Sequence, residues 1–144
     1  MSEFEDVLAA LNRSRVRYLL IGGLASVLHG VPRTTVDIDL VLDPKKENVR
    51  RAVRALKRIG LVADTEAVDD ILAQGGVTAS NRVFVDLLTD IPSATFPGLW
   101  RRRKAFRYGR VRASAISRAD QIRVLRRTGR KKDIEDADYL DSLR

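Results

Sequence analysis

The chain contains no cysteine and only one histidine. Without cysteine there can be no disulfide framework, no thiolate zinc site and no thiol catalysis. The lone His29 cannot build a multi-histidine metal centre, and its place at the end of an apolar run suits packing better than catalysis. Long apolar stretches are also missing, since none approaches the ~20 residues that span a bilayer. The start, MSEFEDVLAALNRS, is acidic and amphipathic, without the basic opening and apolar run of a secretory leader. The expectation is a cytoplasmic protein with no membrane association.

What is present is charge, unevenly distributed. The 144 residues carry a formal net charge of +8, with 32% charged and 44% hydrophobic residues. That balance predicts one globular domain over residues 1–144. Residues 101–132 hold fourteen Lys or Arg and one acid, Asp120, whereas the last twelve residues hold five acids and one Arg. Such segregation predicts a surface for a polyanion, either a nucleic acid or a triphosphate.

Ser2 and Glu5 form a capping-box pattern that opens a helix over 3–13. Residues 16–21 read as a buried strand stopped by Gly22-Gly23, and 24–29 as a short helix closed by Gly30 and Pro32. Thr35–Leu42 reads as a second strand. Asp43 and Pro44 are expected to cap and open a helix that ends at Gly60. A short strand at 61–63 and a weak helix at 67–74 follow. Residues 77–79 and 82–88 then read as a hairpin, 100–106 as a short basic helix and 107–113 as a last, exposed strand. Two helices, from about 117 and from 132, complete an α/β (α+β) domain: a mixed β-sheet flanked by helices, with a helical C-terminal part.

Within this order, residues 21–42 carry the chemistry. Strand alternation points Asp37 and Asp39 the same way, away from Ile38 and Leu40. Neighbouring carboxylates repel unless a proton or a cation intervenes, and hard oxygen ligands favour Mg²⁺ or Mn²⁺. A Gly-Gly turn at the mouth of a helix lets the backbone approach a phosphate beside unpaired amides. Asp86, on a separate strand, supplies a third acid, with Asp90 as its competitor. Asp133 and Asp136, one turn apart, suit pairing with Arg as well as a place in the site. Trp100 with Phe96 and Phe106 suits a satellite apolar cluster better than base stacking.

Gly22-Gly23, the run to Gly30, Arg33-x-Thr35-x-Asp37-x-Asp39 and Val85-Asp86-Leu87 resemble the DNA polymerase β-like nucleotidyltransferase superfamily. The segment Arg130-Lys131-Lys132-Asp133-Ile134-Glu135-Asp136 is similar to the closing motif of its small AbiEii-type members, found in toxin–antitoxin modules. The resemblance spans residues 16–140 and implies a nucleotidyltransferase fold that moves an NMP from an NTP to a hydroxyl. It implies that Asp37, Asp39 and Asp86 ligate Mg²⁺ (or Mn²⁺) and carry catalysis, with Asp86 taking the acceptor's proton. Gly22, Gly23, Arg33 and Thr35 would surround the nucleotide, with Arg130 and Lys132 near its triphosphate. The pattern departs at Leu125, where many relatives carry Lys; Arg126 or Arg127 is the substitute at hand. The basic segment favours an RNA acceptor such as a tRNA end, and a hydroxyl on a partner protein is the other macromolecular choice. Alternatives are an antibiotic nucleotidyltransferase of the aminoglycoside or lincosamide kind, and a non-catalytic RNA- or partner-binding module on the same fold.

Overall fold

The computed structural model describes residues 2–143. In chain order the elements are α1 (Glu3–Arg13), β1 (Tyr18–Ile21), α2 (Gly22–His29), β2 (Asp37–Leu42), α3 (Lys46–Arg58), β3 (Val62–Ala63) and α4 (Val68–Gln74). They continue as β4 (Gly76–Ala79), β5 (Phe84–Leu88), α5 (Phe96–Arg101), β6 (Lys104–Tyr108), β7 (Val111–Ala115), α6 (Arg118–Thr128) and α7 (Lys131–Ser142). The strands form one seven-stranded mixed sheet ordered β3-β4-β5-β2-β1-β7-β6. The β2–β5 and β1–β7 pairs are parallel and the others antiparallel. The helix-flanked mixed sheet matches the expected α/β class. Among the described residues, no helix is long and apolar enough to cross a membrane.

The alternation of the central strands divides the core. Tyr18, Leu20, Ile38, Leu40, Leu42, Val85 and Leu87 pack with Val7, Leu8 and Leu11 of α1 and with Val49, Ala52 and Leu56 of α3. Leu19, Ile21 and Val41, on the opposite face, meet Ile91, Phe96, Leu99 and Ile116. A third, smaller cluster of Val31, Leu125, Ala137 and Leu140 seals α6 to α7. Each fully buried Leu contributes about 1.5–3 kcal/mol by leaving water, so the central strands are fixed from both sides. The expected capping box at α1 is present, with Glu5 N–H donating to Ser2 Oγ at 3.2 Å.

Three local expectations are corrected. The helix after β2 starts at Lys46 with Lys45 as its N-cap, and not at Pro44 behind Asp43. The Asp43 carboxylate instead accepts from Lys45 N–H at 3.3 Å, while Asn48 Nδ2 donates to the carbonyls of Arg17 and Asp43 at 3.0 Å each. These bonds satisfy the backbone there and delay the helix. Second, residues 100–106 are not one helix. Thr95 caps α5, which carries Pro97 in its first turn and ends at Arg101, and Lys104 already belongs to β6. Third, the strand expected at 107–113 is a hairpin, β6 and β7, that turns at Gly109. Its β7 arm is not exposed: Val111, Ala113 and Ala115 face the core, and Leu20 pairs with Ala115.

Buried charge ties the basic segment down. Asp120 is 1% exposed and receives Arg102 through two bonds, Nε–H to Oδ2 at 2.9 Å and Nη2–H to Oδ1 at 3.2 Å, with Arg123 at 3.0 Å. Part of the Arg-rich stretch therefore holds α5 to α6.

Candidate active site

The acids sit on the two central strands. Asp39 is in register with Asp86 across the parallel β2–β5 pair, and Asp37 with Phe84. Parallel neighbours in register share a face at about 4.8 Å between strands, so Asp37, Asp39 and Asp86 all point to the α5–α6 side. The Asp39 and Asp86 carboxyls are within hydrogen-bonding reach of each other. Burial, then the hydrogen bond and charge of Asp86 and the charge of Asp37, push the Asp39 carboxyl up to about 7, with Arg130 opposing. Asp90, the rival third acid, is exposed beyond the end of β5, outside this row.

The glycine turn is built against the same carboxylate. Gly22 has φ +65°, and a Cβ there would collide with Asp39 Oδ2. A left-handed backbone without a side chain is thus required twice, by dihedral and by space. At Gly23 a Cβ would stand 3.0 Å from Thr35 Oγ1 and 3.8 Å from Arg33 Nη2. Helix α2 begins at Gly22, so its first unpaired amides lie beside the acid row. Gly22, Gly23, Arg33, Thr35, Asp37, Asp39, Arg130 and Lys132 border a single cleft of about 390 Å³. All sequence-derived candidates except Asp86 line it, and Asp86 adjoins it through Asp39.

The cationic wall is partly committed. Arg33 Nη2 lies 2.6 Å from Asp136 Oδ2, off the hydrogen-bond line, and Arg33 Nε is buried without an acceptor. Burial, only partly offset by Arg33, raises the Asp136 carboxyl above its ordinary value. Arg130 Nε–H donates to Asp133 at 2.8 Å, and Lys132 is exposed without an acid partner among the described residues. Arg126 and Arg127 do not line the cleft. Arg126 is held by Asp138 and Asp141, at 2.8 and 3.4 Å, and Arg127 borders a different hollow. Leu125 is 4% exposed and makes an apolar contact in the α6–α7 seam.

The donor set fits a hard divalent cation. Two half-buried carboxylates in contact, with a third two residues along the same face, offer only oxygens, and the neighbouring acids push the Asp39 carboxyl up. Among the described residues, no three His, Asp or Glu side chains are drawn tightly enough to enclose an ion. The site therefore consists of a contact pair, Asp39–Asp86, with Asp37 further out. A second, arginine-lined groove between α1 and α3, with Arg13, Arg51, Arg54 and Arg58, carries no such carboxylate pair.

The other candidates hold structural posts. His29 Nε2 is 2.8 Å from the Ile116 carbonyl and meets Phe106 edge-on at 4.9 Å. Trp100 stacks on Phe96 at 5.6 Å and carries the Arg103 guanidinium at 3.9 Å, so Phe106 is not part of that cluster.

One positioning residue escaped the sequence reading. Gln121, fully buried on α6, donates through Nε2 to the Gly22 carbonyl and to Ser26 Oγ, at 2.9 Å each. Its signal was present but slight: a polar residue four before Leu125, on the same helix face as a core residue. Gln121→Met is expected to leave the Gly22 carbonyl unpaired, costing about 1–3 kcal/mol. It should lower kcat for nucleotidyl transfer more than it raises KM. Thermal unfolding and steady-state kinetics check both effects, and loss of stability with unchanged kcat would show that the bond does not position the turn.

No family model matches the sequence, and a search of curated proteins finds no relative. Solved structures do match. The lincosamide antibiotic adenylyltransferase LnuA, determined with lincomycin bound, aligns over 100% of this chain and 99% of its own, with 20% identity and TM-score 0.69. ANT(2″)-Ia in complex with adenylyl-2″-tobramycin aligns over 95% and 84%, with 16% identity and TM-score 0.66. A Thermotoga maritima protein assigned to the nucleotidyltransferases aligns over 97% and 91%, with 16% identity and TM-score 0.66. The likeness runs nearly end to end, and the fold of this chain is the nucleotidyltransferase fold.

Proposed function

We propose that the protein is a metal-dependent nucleotidyltransferase that moves an NMP from an NTP to an acceptor hydroxyl. The observation that carries this reading is the Asp39–Asp86 pair, with Asp37 on the same face, set against a glycine turn and a cationic wall. Asp37, Asp39 and Asp86 would hold Mg²⁺ or Mn²⁺, which when bound neutralises phosphate charge and acidifies a hydroxyl. Arg33, Arg130 and Lys132 bind the triphosphate, and Gly22 and Gly23 let backbone amides approach it. Asp86 receives the acceptor's proton as the acceptor oxygen bonds to the α-phosphorus. The bond from that phosphorus to the bridging oxygen breaks, and pyrophosphate leaves. Because all three acids are present, a non-catalytic module on this fold is the weaker reading.

RNA, in particular a tRNA end, is the favoured acceptor because the chain's charge excess is basic, with a hydroxyl on a partner protein as the other macromolecular choice. On the resemblance, we place the activity in a toxin–antitoxin setting in the cytoplasm, where NTPs and tRNA coexist. Overexpression of the active chain should then halt growth, and an Asp39→Asn chain should not. The test is incubation with each of four labelled NTPs, with Mg²⁺ or with EDTA, against total tRNA and cell lysate. Label is expected in RNA with Mg²⁺ and absent with EDTA. Labelling of nothing under any condition would reject the enzyme reading.

A second reading, adenylylation of an antibiotic, is favoured by the end-to-end match to LnuA. Lincomycin and tobramycin in the same assay decide it.

A further inference from the structure

Helices α1 and α3 cover the face of the sheet opposite the acid row, and positive charge collects in the groove between them. Helix α3 carries six basic residues. Three are spent on acids: Lys46 on Asp69 at 3.2 Å, Arg50 on Glu47 at 3.6 Å and Lys57 on Glu66 at 3.1 Å. The other three, Arg51, Arg54 and Arg58, recur at helical spacing along the groove, where Arg13 of α1 joins them. None of these four arginines has an acid partner among the described residues. Arg51 Nη2 donates to neutral acceptors, Asn48 Oδ1 at 3.3 Å and the Arg15 carbonyl at 3.5 Å, and its Nε is buried without an acceptor. Small side chains at the helix contact, Ala10, Ser14 and Ala55, leave room for a hollow of about 340 Å³ that all four arginines border. Like charges one turn apart on a helix repel, and a solvated face relieves this by mixing signs, as the other flank of α3 does. Here the acid at the rim, Glu47, is already engaged by Arg50.

We infer that this groove is a second anion site, across the sheet from the candidate cleft, and that its ligand is a chain of bridged phosphates. Guanidiniums fork onto phosphate oxygens in pairs, so several in one hollow match adjoining phosphates that a single orthophosphate would leave unfilled. The volume falls at the lower end of clefts that hold small ligands, roughly 300–1,000 Å³. Among the described residues no aromatic side chain borders it, so nothing there stacks a base. A nucleic-acid strand brings one charge per nucleotide, spread along its length, and meets so compact a cluster poorly. With Glu47 engaged, the groove offers no free carboxylate to a metal ion, so the arginines bind the anion without one. Such a chain occurs free, as in tripolyphosphate, or as the tail of a nucleoside triphosphate, and the groove reads the part the two share.

The test is a titration of the whole protein, methyl-labelled at Ala and Ile, with inorganic tripolyphosphate in EDTA. The Ala10, Ala55 and Ile59 resonances are expected to shift and to saturate. Orthophosphate should need more than about tenfold higher concentration, because it forgoes at least one charge-assisted contact. Arg54 and Arg58 are exposed, so Arg54→Gln and Arg58→Gln should keep the fold. Each should weaken the binding read at these methyls by about tenfold, the range of one charge-assisted hydrogen bond. Arg51→Lys, which keeps the charge and loses the fork, should weaken it as well. Metal-free ATP separates the sources: affinity equal to that of tripolyphosphate assigns the site to a nucleotide tail, and much weaker binding assigns it to a free chain. Unmoved methyl resonances, variants that bind as wild type does, or orthophosphate binding as tightly as tripolyphosphate would overturn the site. A short RNA without terminal phosphates that moves the same methyls at lower concentration than tripolyphosphate would overturn its occupant. The reporters stand across the sheet from Asp39, so the result is independent of whether the protein transfers nucleotide.

Discussion

Asp39→Asn is expected to abolish transfer and to stabilise the protein. The substitution keeps the shape of the side chain and removes the charge that meets Asp86 across the β2–β5 ladder. Loss of one charge-stabilising group at a reacting centre costs on the order of 10²–10³-fold in kcat, and here the group is also a proposed metal ligand. Stability should move the other way, because the metal-free protein holds two carboxyls in contact and Asn relieves their repulsion. The sign with pH follows. Asp39 has its carboxyl raised from 3.8 to about 7, so the folded chain binds a proton that the unfolded chain releases. Its favourable contribution is complete below the unfolded value and is lost as pH rises through that window. Metal-free wild type should therefore lose melting temperature between those pH values more steeply than Asp39→Asn does. Thermal unfolding across pH, with and without Mg²⁺, alongside the transfer assay, measures both. An Asn variant that is less stable than wild type at neutral pH would contradict the contact pair.

Gly22→Ala is expected to have the second largest effect. An Ala at φ +65° bears left-handed strain of about 1–2 kcal/mol, and its Cβ occupies the space of the Asp39 carboxylate. Either the turn or the acid must move, and a shift of this kind at reacting groups costs roughly a hundredfold in rate. Gly129→Ala separates the two causes. Gly129 has φ +70° at the end of α6, with nothing within 4 Å of a built Cβ. Its Ala variant should lose only the strain component in thermal unfolding, and Gly22→Ala distinctly more. Equal losses would mean that the Asp39 side chain yields easily and the close approach is unimportant.

The parts of this site that were legible beforehand are those set by local rules. Alternation put Asp37 and Asp39 on one face, and Gly22-Gly23 before a helix marked the turn that borders the cleft. The helix starts at Ser2 and Ser117 were equally plain, because an N-cap hydroxyl acts over three residues. The misreadings occurred where a local pattern competed with distant partners. Asp43-Pro44 has the form of a helix start, yet Asn48 spends its amide on the Arg17 and Asp43 carbonyls and moves the start to Lys46. Residues 104–108 bury nothing fully at the sheet edge and alternate only over Phe106–Tyr108, so their pairing with β7 is what identifies them as a strand.

The sequence alone determined the class of the protein: an α/β domain with paired acids behind a glycine turn and a basic distal segment. Those features depend on residue type and on spacings of a few positions. Tertiary structure decided that Asp86 rather than Asp90 meets Asp39, that Gln121 braces Gly22, and that Phe84 and Leu88 stand exposed beside the acids. It also decided which arginines are spent, since Arg102 and Arg126 are held by acids on other elements. Strand register, buried hydrogen bonds and ion pairs join residues tens of positions apart. No local period encodes such pairings, and the chain acquires them only when its core closes.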